Sequence, residues 1–147
     1  MPVLRSSPAR RSVLASVLAT LASLWCLPAA AEDKTRQDEM IHQLRIYEIF
    51  ESNKAAFHAR FRDHAARIMK KYDFNIVAMW ESRSEGRTEF VYLLQWPNAG
   101  TMTDRWSRFM ADQEWSDIKK ESAAKHGAMV GGIQDRVLHM TDYSPRS

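Results

Sequence analysis

Residues 41–50 read IHQLRIYEIF and carry the strongest structural signal in this chain. Alternate side chains of a β-strand point to opposite faces of the sheet, so the residues of this segment separate into two sets. One set consists of an amide, a guanidinium and a phenol, called the polar stripe below: Gln43, Arg45 and Tyr47. The other set is apolar: Leu44, Ile46 and Phe50. A row of large hydrogen-bonding groups indicates a polar cavity or an interface rather than an ordinary solvated strand.

The segments after this strand show a helix and then a hairpin. Apolar residues recur at helical spacing as far as Tyr72, and Ser52 or Asn53 is expected to cap this helix. The hairpin consists of a strand, a tight turn and a second strand: Phe74–Ser82, Ser84–Arg87 and Thr88–Trp96. The turn contains Gly86, which suits the sharp reversal between two strands.

A second helical region and a last strand complete the pattern. The region begins after Pro97–Gly100, Asp112 is expected to cap a further helix, and Gly127 is expected to end it. Gly131 and Gly132 are predicted to form a flexible joint before the last strand, residues 133–141. The order strand, helix, strand, strand, helix, strand predicts a ferredoxin-like α+β domain, an antiparallel βαββαβ sheet with its helices on one face.

The two faces of this sheet should differ. We expect the apolar set of the first strand to meet the helices, and the polar stripe to lie on the uncovered face. The third strand is apolar on both sides, with one set formed by Phe90, Tyr92, Leu94 and Trp96 and the other by Val91, Leu93 and Gln95. Apolar side chains on both sides are unsuited to water, so a second copy of the chain is expected to cover the open face.

The first 31 residues resemble a cleaved export signal. Three arginines precede the apolar run Val13–Leu27, and small residues 29–31 precede Glu32. The run is shorter than a membrane-spanning helix needs. We therefore predict a periplasmic or secreted protein, with the general secretory route favoured over the twin-arginine route that Arg10 and Arg11 suggest. The expected domains are a signal peptide at 1–31, a flexible lead-in at 32–40, one domain at 41–142 and a tail at 143–147.

Removing the leader changes the charge and the cysteine content. The 21 basic residues fall to 18 when the three leader arginines are subtracted, against 18 acidic residues. A neutral mature chain gives no reason to expect nucleic acid or a membrane surface as partner. Cys26 is the single cysteine and lies in the leader, so the mature chain has none with which to form a disulfide.

Several segments resemble one known family. Residues 43–47, QLRIY, are similar to the opening strand of NIPSNAP domains, where Glu-Leu-Arg-Thr-Tyr is typical. Phe90–Trp96 resembles that family's third strand, and Ala111–Trp115 resembles its Asp-Pro-Glu-Trp region. The similarity extends over about residues 41–140. It implies a dimeric α/β-barrel, in which two ferredoxin-like sheets pair face to face.

The resemblance also bears on function. Related barrel superfamilies include cofactor-free monooxygenases and haem-degrading or haem-dependent enzymes. This chain departs from the family pattern, because Tyr92 and Leu94 stand where many members have His and Trp, and Gln43 replaces an acidic residue. A role that needs that histidine or carboxylate therefore cannot be transferred to this chain.

The polar stripe supplies the candidate site. Arg45, Tyr47 and Tyr92 are the candidate catalytic residues, because a guanidinium and phenols can stabilise a developing oxyanion. The candidate ligand-binding residues are Gln43, Arg45, Tyr47, Tyr92 and Trp96. The alternative is structural: Arg45 pairs with a carboxylate across a dimer, for example Glu81 or Glu89.

Histidines and aromatic residues add weaker signals. His58 and His64 are six residues apart, which on a helix separates them by about 120°, so no metal site is predicted. His64 is expected near the apolar side of the helix and is the candidate for a haem ligand, although a structural histidine is favoured. An aromatic pocket is also considered, lined by Trp80, Trp96, Trp106, Trp115, Met79, Met102 and Met110.

The sequence thus predicts an exported homodimer that binds a small molecule in a barrel cavity or acts as an interaction module. The alternative is a cofactor-independent monooxygenase or isomerase, or a haem-handling enzyme. The patterns leave open whether the chain is an enzyme, and no cofactor is expected.

Overall fold

The computed structural model describes residues 39–145. The predicted signal peptide and most of the predicted lead-in lie outside the described residues. The elements in chain order are β1 (Ile41–Ile49), α1 (Lys54–Arg60), a π-helical turn (Phe61–Ala65), α2 (Ala66–Lys71), β2 (Asn75–Ser84), β3 (Arg87–Trp96), α3 (Ala99–Ala111), α4 (Gln113–His126) and β4 (Val130–His139). A short 3₁₀ turn, Glu51–Asn53, joins β1 to α1.

The four strands form one antiparallel sheet in the order β2-β3-β1-β4. The ferredoxin-like prediction is therefore confirmed. The predicted hairpin joins β2 to β3 through Glu85 and Gly86, which adopt φ values of 50° and 77°. Two consecutive positive φ values are typical of the tight turns that match the twist of a hairpin.

The start of the first helix differs from the prediction. Asn53 precedes α1, but its side chain does not accept a hydrogen bond from the helix. Its Nδ2 instead donates to the carbonyl oxygens of His126 and Ala128, at 2.9 and 2.7 Å. The prediction that Ser52 or Asn53 caps the helix was wrong, because this amide ties the start of α1 to the end of α4.

The predicted boundaries of α4 are confirmed. The Asp112 side chain accepts a hydrogen bond of 2.9 Å from the Trp115 backbone N–H and so caps the helix. Gly127 ends it with φ of 71°, a conformation that glycine adopts without a steric penalty. Asn98 caps α3 in the same way, by accepting from the Thr101 N–H at 2.7 Å.

Strand β4 begins earlier than predicted. Gly131 and Gly132 lie inside the strand and are not a flexible joint. A Cβ atom on Gly131 would lie 3.1 Å from the Glu48 carboxylate and 3.3 Å from the Phe50 ring. The pairing of β1 with β4 is irregular between Tyr47 and Ile49, so the glycines accommodate a close approach of neighbouring side chains at that irregularity.

The helices cover one face of the sheet, and the core lies between them. Its aromatic centre comprises Phe57, Phe61, Phe74, Phe90, Tyr92, Trp96, Phe109 and Trp115. The alternate residues of β3 predicted to share an apolar face are all buried there, from Phe90 to Trp96. No helix within residues 39–145 is long and apolar enough to cross a membrane.

The orientation of β1 is opposite to the prediction. Arg45 pairs with Tyr92 and Tyr47 pairs with Phe90 in the register of β1 and β3, so the polar stripe faces the helices together with the buried aromatic residues. Leu44 and Ile46 lie on the uncovered face. The prediction was wrong because helix and sheet residues distant in the chain supply partners for the polar groups, which makes their burial possible.

Candidate functional site

Gln43 is the most buried member of the polar stripe, with 2% of its surface exposed. Its carbonyl Oε1 accepts from two indoles, Nε1 of Trp96 at 3.1 Å and Nε1 of Trp106 at 2.7 Å. Its Nε2 donates to both carboxylate oxygens of Asp135, at 2.8 and 3.0 Å. One amide thus connects β1 to β3, α3 and β4 and satisfies the polar atoms that these elements bury.

Arg45 and the two tyrosines continue this network. Asp135 accepts from Nη1 of Arg45 at 2.5 Å, and Nη2 of Arg45 donates to the Tyr47 hydroxyl at 3.1 Å. The hydroxyl oxygens of Tyr47 and Tyr92 are 2.9 Å apart. The Arg45 guanidinium also lies over the Trp106 ring, 4.7 Å from its centroid. Asp135 therefore balances the charge of Arg45, and Tyr47 and Trp106 also contact the guanidinium.

The surroundings set the protonation of these groups. Burial by itself lowers the pKa of Arg45, but Tyr47, Tyr92 and Asp135 outweigh burial and raise it, so the guanidinium stays charged. Burial raises the pKa of the Tyr92 phenol, and the adjacent Tyr47 raises it further. Tyr92 is therefore protonated at neutral pH and is unsuited to act as a base.

Beside this network lies a cavity of about 260 Å³ between the sheet and the helices. Most of its lining is apolar or aromatic: Phe57, Phe61, Ala65, Met69, Trp106, Phe109, Met110, Trp115, Val130 and Ile133. Its polar groups are three cations and one phenol: Arg45, Arg60, Lys119 and Tyr47. An apolar cavity with a few polar groups is the usual form of a small-molecule site.

The π-helical turn shapes one wall of this cavity. Phe57, Phe61, Ala65 and Met69 recur every four residues and all contribute to the lining. In a regular α-helix, a step of four residues overshoots a full turn by about 40°, so four such residues would drift around the helix. The wider turn at residues 61–65 reduces this drift. The side chains consequently stay on the face that meets the cavity.

The predicted site residues divide into two groups. Arg45 and Tyr47 line the cavity, whereas Gln43, Tyr92 and Trp96 lie behind it and support them through hydrogen bonds. The expected carboxylate partners of Arg45 were wrong. Its partner is Asp135 of the same chain, Glu81 contacts Lys54 and His58 instead, and Glu89 lies on the uncovered face.

The aromatic pocket was predicted in part. Trp106, Trp115 and Met110 line the cavity, but Trp80, Trp96, Met79 and Met102 do not. Arg60 and Lys119 also line the cavity, although neither was among the predicted site residues. Arg60 lies three residues after Phe57 and one before Phe61. Because residues three apart lie on one helix face, this spacing could have identified Arg60 as a cavity residue.

The histidines lie away from the cavity. His64 is exposed, at the outer groove between α1 and α4, so the expectation that it lies near the apolar side of the helix was wrong. The haem-handling alternative stays an untested hypothesis. Within residues 39–145, no group of three or more His, Cys, Asp or Glu residues could hold a metal ion.

The fold and the cavity together define a ferredoxin-like α+β protein with an internal apolar site. The sequence profile of NIPSNAP matches residues 42–145, and this chain belongs to the NIPSNAP family. None of the curated proteins matches the chain. The predicted family is thus confirmed.

Solved structures agree with this assignment. An uncharacterized NIPSNAP-like domain protein from Burkholderia xenovorans is 16% identical, with a TM-score of 0.63 over 74% of this chain and 91% of that chain. A NIPSNAP family protein from Agrobacterium tumefaciens is 18% identical, with a TM-score of 0.63 over 73% of this chain and 98% of that chain. A second A. tumefaciens family protein, described as of unknown function, is 18% identical, with a TM-score of 0.61 over 74% and 94% of the two chains. At these identities the similarity establishes the fold.

Proposed function

We propose that this protein binds a small organic molecule in the cavity between its sheet and its helices. The observation that carries the proposal is the composition of the cavity wall, which is mainly aromatic and aliphatic with Arg45 and Tyr47 held rigidly at one side. The volume of about 260 Å³ corresponds to about nine water molecules at roughly 30 Å³ each. The ligand is accordingly small, about the size of 1-octanol.

Two exposed apolar residues support access from solvent. Ile133 and Met110 line the cavity and are 52% and 54% exposed, respectively. Strand β4 lies at the edge of the sheet, so its Ile133 is not covered by a further strand. A ligand can therefore enter beside β4 without opening the core.

The polar groups favour binding over proton abstraction. The cations of the cavity wall attract negative charge, the Tyr47 phenol can donate or accept a hydrogen bond, and Tyr92 behind them stays protonated. This set suits a protein that holds and orients its ligand.

Calorimetric titration of the chain from Glu32 to Ser147 with 1-octanol tests the proposal. We expect saturable binding of one octanol per chain. Ala65 is 1% exposed and lines the cavity, so Ala65→Leu should abolish binding by filling it. Ala55→Leu on the exposed side of α1 is the matched control and should bind as the parent chain does.

A second variant is included because overpacking a core costs about 1–3 kcal/mol, so that loss of binding in Ala65→Leu could result from unfolding. Ile133→Trp changes an exposed residue at the rim and should weaken binding while leaving the unfolding transition in place. Unchanged octanol affinity in both variants would place the binding site elsewhere and overturn the proposal.

We also propose that the chain is exported. The leader at residues 1–31 supports this proposal, since it combines three arginines, an apolar run and small residues before Glu32. Expression of the full chain in a bacterium, followed by fractionation and intact-mass measurement, should recover a periplasmic or secreted protein that begins at Glu32. A full-length cytoplasmic product would contradict export.

A further inference from the structure

Two of the three cations at the cavity lie near the same aromatic ring. The Arg60 guanidinium is 5.8 Å from the centroid of the Trp115 ring, and the Lys119 ammonium is 5.7 Å from it. Trp115 itself is 92% buried and stacks on Phe109 at 5.3 Å. This arrangement, called the cation pair below, places two positive charges on a fixed apolar support at the cavity wall.

The cation pair lacks a carboxylate partner within residues 39–145, in contrast to Arg45 and its partner Asp135. Arg60 donates from Nη1 to the Ser122 hydroxyl at 3.0 Å, which satisfies one N–H without balancing the charge. Arg60 is half-buried, and burial lowers the pKa of its guanidinium. Removing a charge from water is unfavourable unless an opposite charge or hydrogen bonds compensate. A bound anion would supply that compensation.

The rest of the cavity wall restricts the organic group to which the negative charge is attached. Phe57, Phe61 and Met69 form an apolar wall along α1, the π-helical turn and α2, on the same side of the sheet as Arg60. A small inorganic ion would leave this wall unfilled, and a large polyanion would not fit a volume of about 260 Å³. A short apolar chain or a single aromatic ring fits the wall and gains from burial there.

We propose that the ligand is a small amphipathic carboxylic acid. Its carboxylate lies against the cation pair, and its aliphatic or aromatic part lies along the apolar wall. This inference rests on the proposed small-molecule site and names the chemical class that the site selects. Arg45 keeps a different role in it, since Asp135 already balances its charge and the guanidinium serves to hold Tyr47 and Trp106 in place.

The test compares octanoate with 1-octanol, which share one chain length and differ in headgroup charge. Calorimetric titrations of the chain from Glu32 to Ser147 at pH 7 and low salt should give octanoate a Kd at least tenfold lower than that of octanol. The variant Arg60→Gln/Lys119→Gln should raise the octanoate Kd about tenfold and leave the octanol Kd nearly unchanged, so that the preference for the acid disappears.

Matched controls come from the same two helical segments. Arg62→Gln/Lys120→Gln removes the same two charges at exposed positions outside the cavity lining, and should preserve the preference for octanoate. If this control loses the preference as fully as the variant of the cation pair does, general surface charge explains it and the inference is overturned.

The outcomes separate the two proposals. Equal Kd values for octanoate and octanol in the parent chain, or an octanoate Kd that Arg60→Gln/Lys119→Gln does not raise, would overturn the carboxylic acid while the small-molecule site stands. Binding of neither compound would overturn both. A preference for octanoate in the parent chain, together with loss of octanoate binding in Ala65→Leu, would support the acid and place it in this cavity.

Discussion

Gln43 shows how one buried residue holds several elements in register. It accepts from the indoles of Trp96 and Trp106 and donates to Asp135, so β1, β3, α3 and β4 converge on a single amide. A buried donor left without an acceptor costs about 1–3 kcal/mol. The residue that replaces the family's acidic position is therefore structural in this chain, and it supports the cavity from behind.

Gln43→Leu should destabilise the protein by roughly 2–4 kcal/mol, because two indole N–H groups lose their acceptor. Urea unfolding followed by tryptophan fluorescence measures the change. Gln113→Leu, which alters an exposed glutamine of α4, should change the free energy of unfolding by less than about 0.5 kcal/mol. Equal effects of the two substitutions would show that the network around Gln43 adds nothing to stability.

Asp112 is a second single residue that joins separate elements of the fold. Its side chain accepts from Lys71 Nζ at 2.8 Å, from the Tyr72 hydroxyl at 2.7 Å and from the Trp115 backbone at 2.9 Å. The hydrogen bond from Lys71, followed by those from Tyr72 and Trp115, lowers the pKa of this carboxyl below its ordinary value of 3.8. The charged carboxylate thus joins α2 to the start of α4.

Asp112→Ala should destabilise the protein by about 2 kcal/mol at pH 7, through the lost helix cap and the unpaired Tyr72 hydroxyl. Since the folded-state pKa is lowered, this stabilisation is present above about pH 4 and is lost as the pH falls towards the folded-state pKa. Urea unfolding at a series of pH values should show the difference from the parent chain narrowing below about pH 4. Asp117→Ala, an exposed carboxylate of the same helix, should show neither effect.

Among the secondary-structure elements, β4 differs most from its sequence pattern. The pair Gly131-Gly132 is typical of a joint, yet both glycines lie in a strand beside Glu48 of β1. The Gly132 N–H donates to the Glu48 carboxylate at 3.4 Å. The two positions are unequal, because a Cβ on Gly132 would lie 3.7 Å from that carboxylate, whereas on Gly131 the distance is 3.1 Å.

Gly131→Ala should therefore destabilise the protein by about 1 kcal/mol, since the Glu48 side chain must move. Gly132→Ala should change the free energy of unfolding by less than about 0.5 kcal/mol. A double-mutant cycle, measured by unfolding in guanidinium chloride, checks the cause. The destabilisation caused by Gly131→Ala should be smaller in a Glu48→Ala background than in the parent chain. If Gly131→Ala destabilises the protein equally in both backgrounds, the effect comes from the backbone or from Phe50.

For the whole molecule, the dimer prediction rests on the apolar residues of the uncovered face of the sheet. Leu44 pairs with Leu93, Ile46 pairs with Val91, and Val91 pairs with Trp80, so these apolar side chains form one patch across three strands. Trp80 is 50% exposed in the single chain. Exposed apolar patches of this kind mark interfaces. We propose that a second copy of the chain covers this patch.

Leu93→Glu should convert the protein to a monomer, because it places a charge at the centre of the patch. Light scattering coupled to size exclusion should give twice the chain mass for the parent and one chain mass for the variant. Ala55→Glu on the exposed side of α1 should stay dimeric. A monomeric parent chain would contradict the proposed dimer without affecting the cavity on the other face.

Local patterns in the chain were enough to establish the order of the elements, the hairpin turn at Glu85 and Gly86, the cap at Asp112 and the buried face of β3. Each depends on residues close together in the chain, where periodicity and turn chemistry act directly. The family followed from the same segments. Arg45 and Tyr47 line the cavity, but the sequence pattern placed them on the uncovered face of the sheet, and their role in binding stays a prediction.

Long-range packing established the rest. Strand periodicity separates two faces but does not say which one the helices cover, and the polar stripe is buried because Trp106 and Asp135 reach it from distant segments. Arg45 and Asp135 are 90 positions apart in the chain, so their ion pair leaves no local pattern in the sequence. Lys119 follows Trp115 by one turn of α4, but Arg60 of α1 comes to lie beside that ring only when the two helices pack together, which is a property of the folded chain.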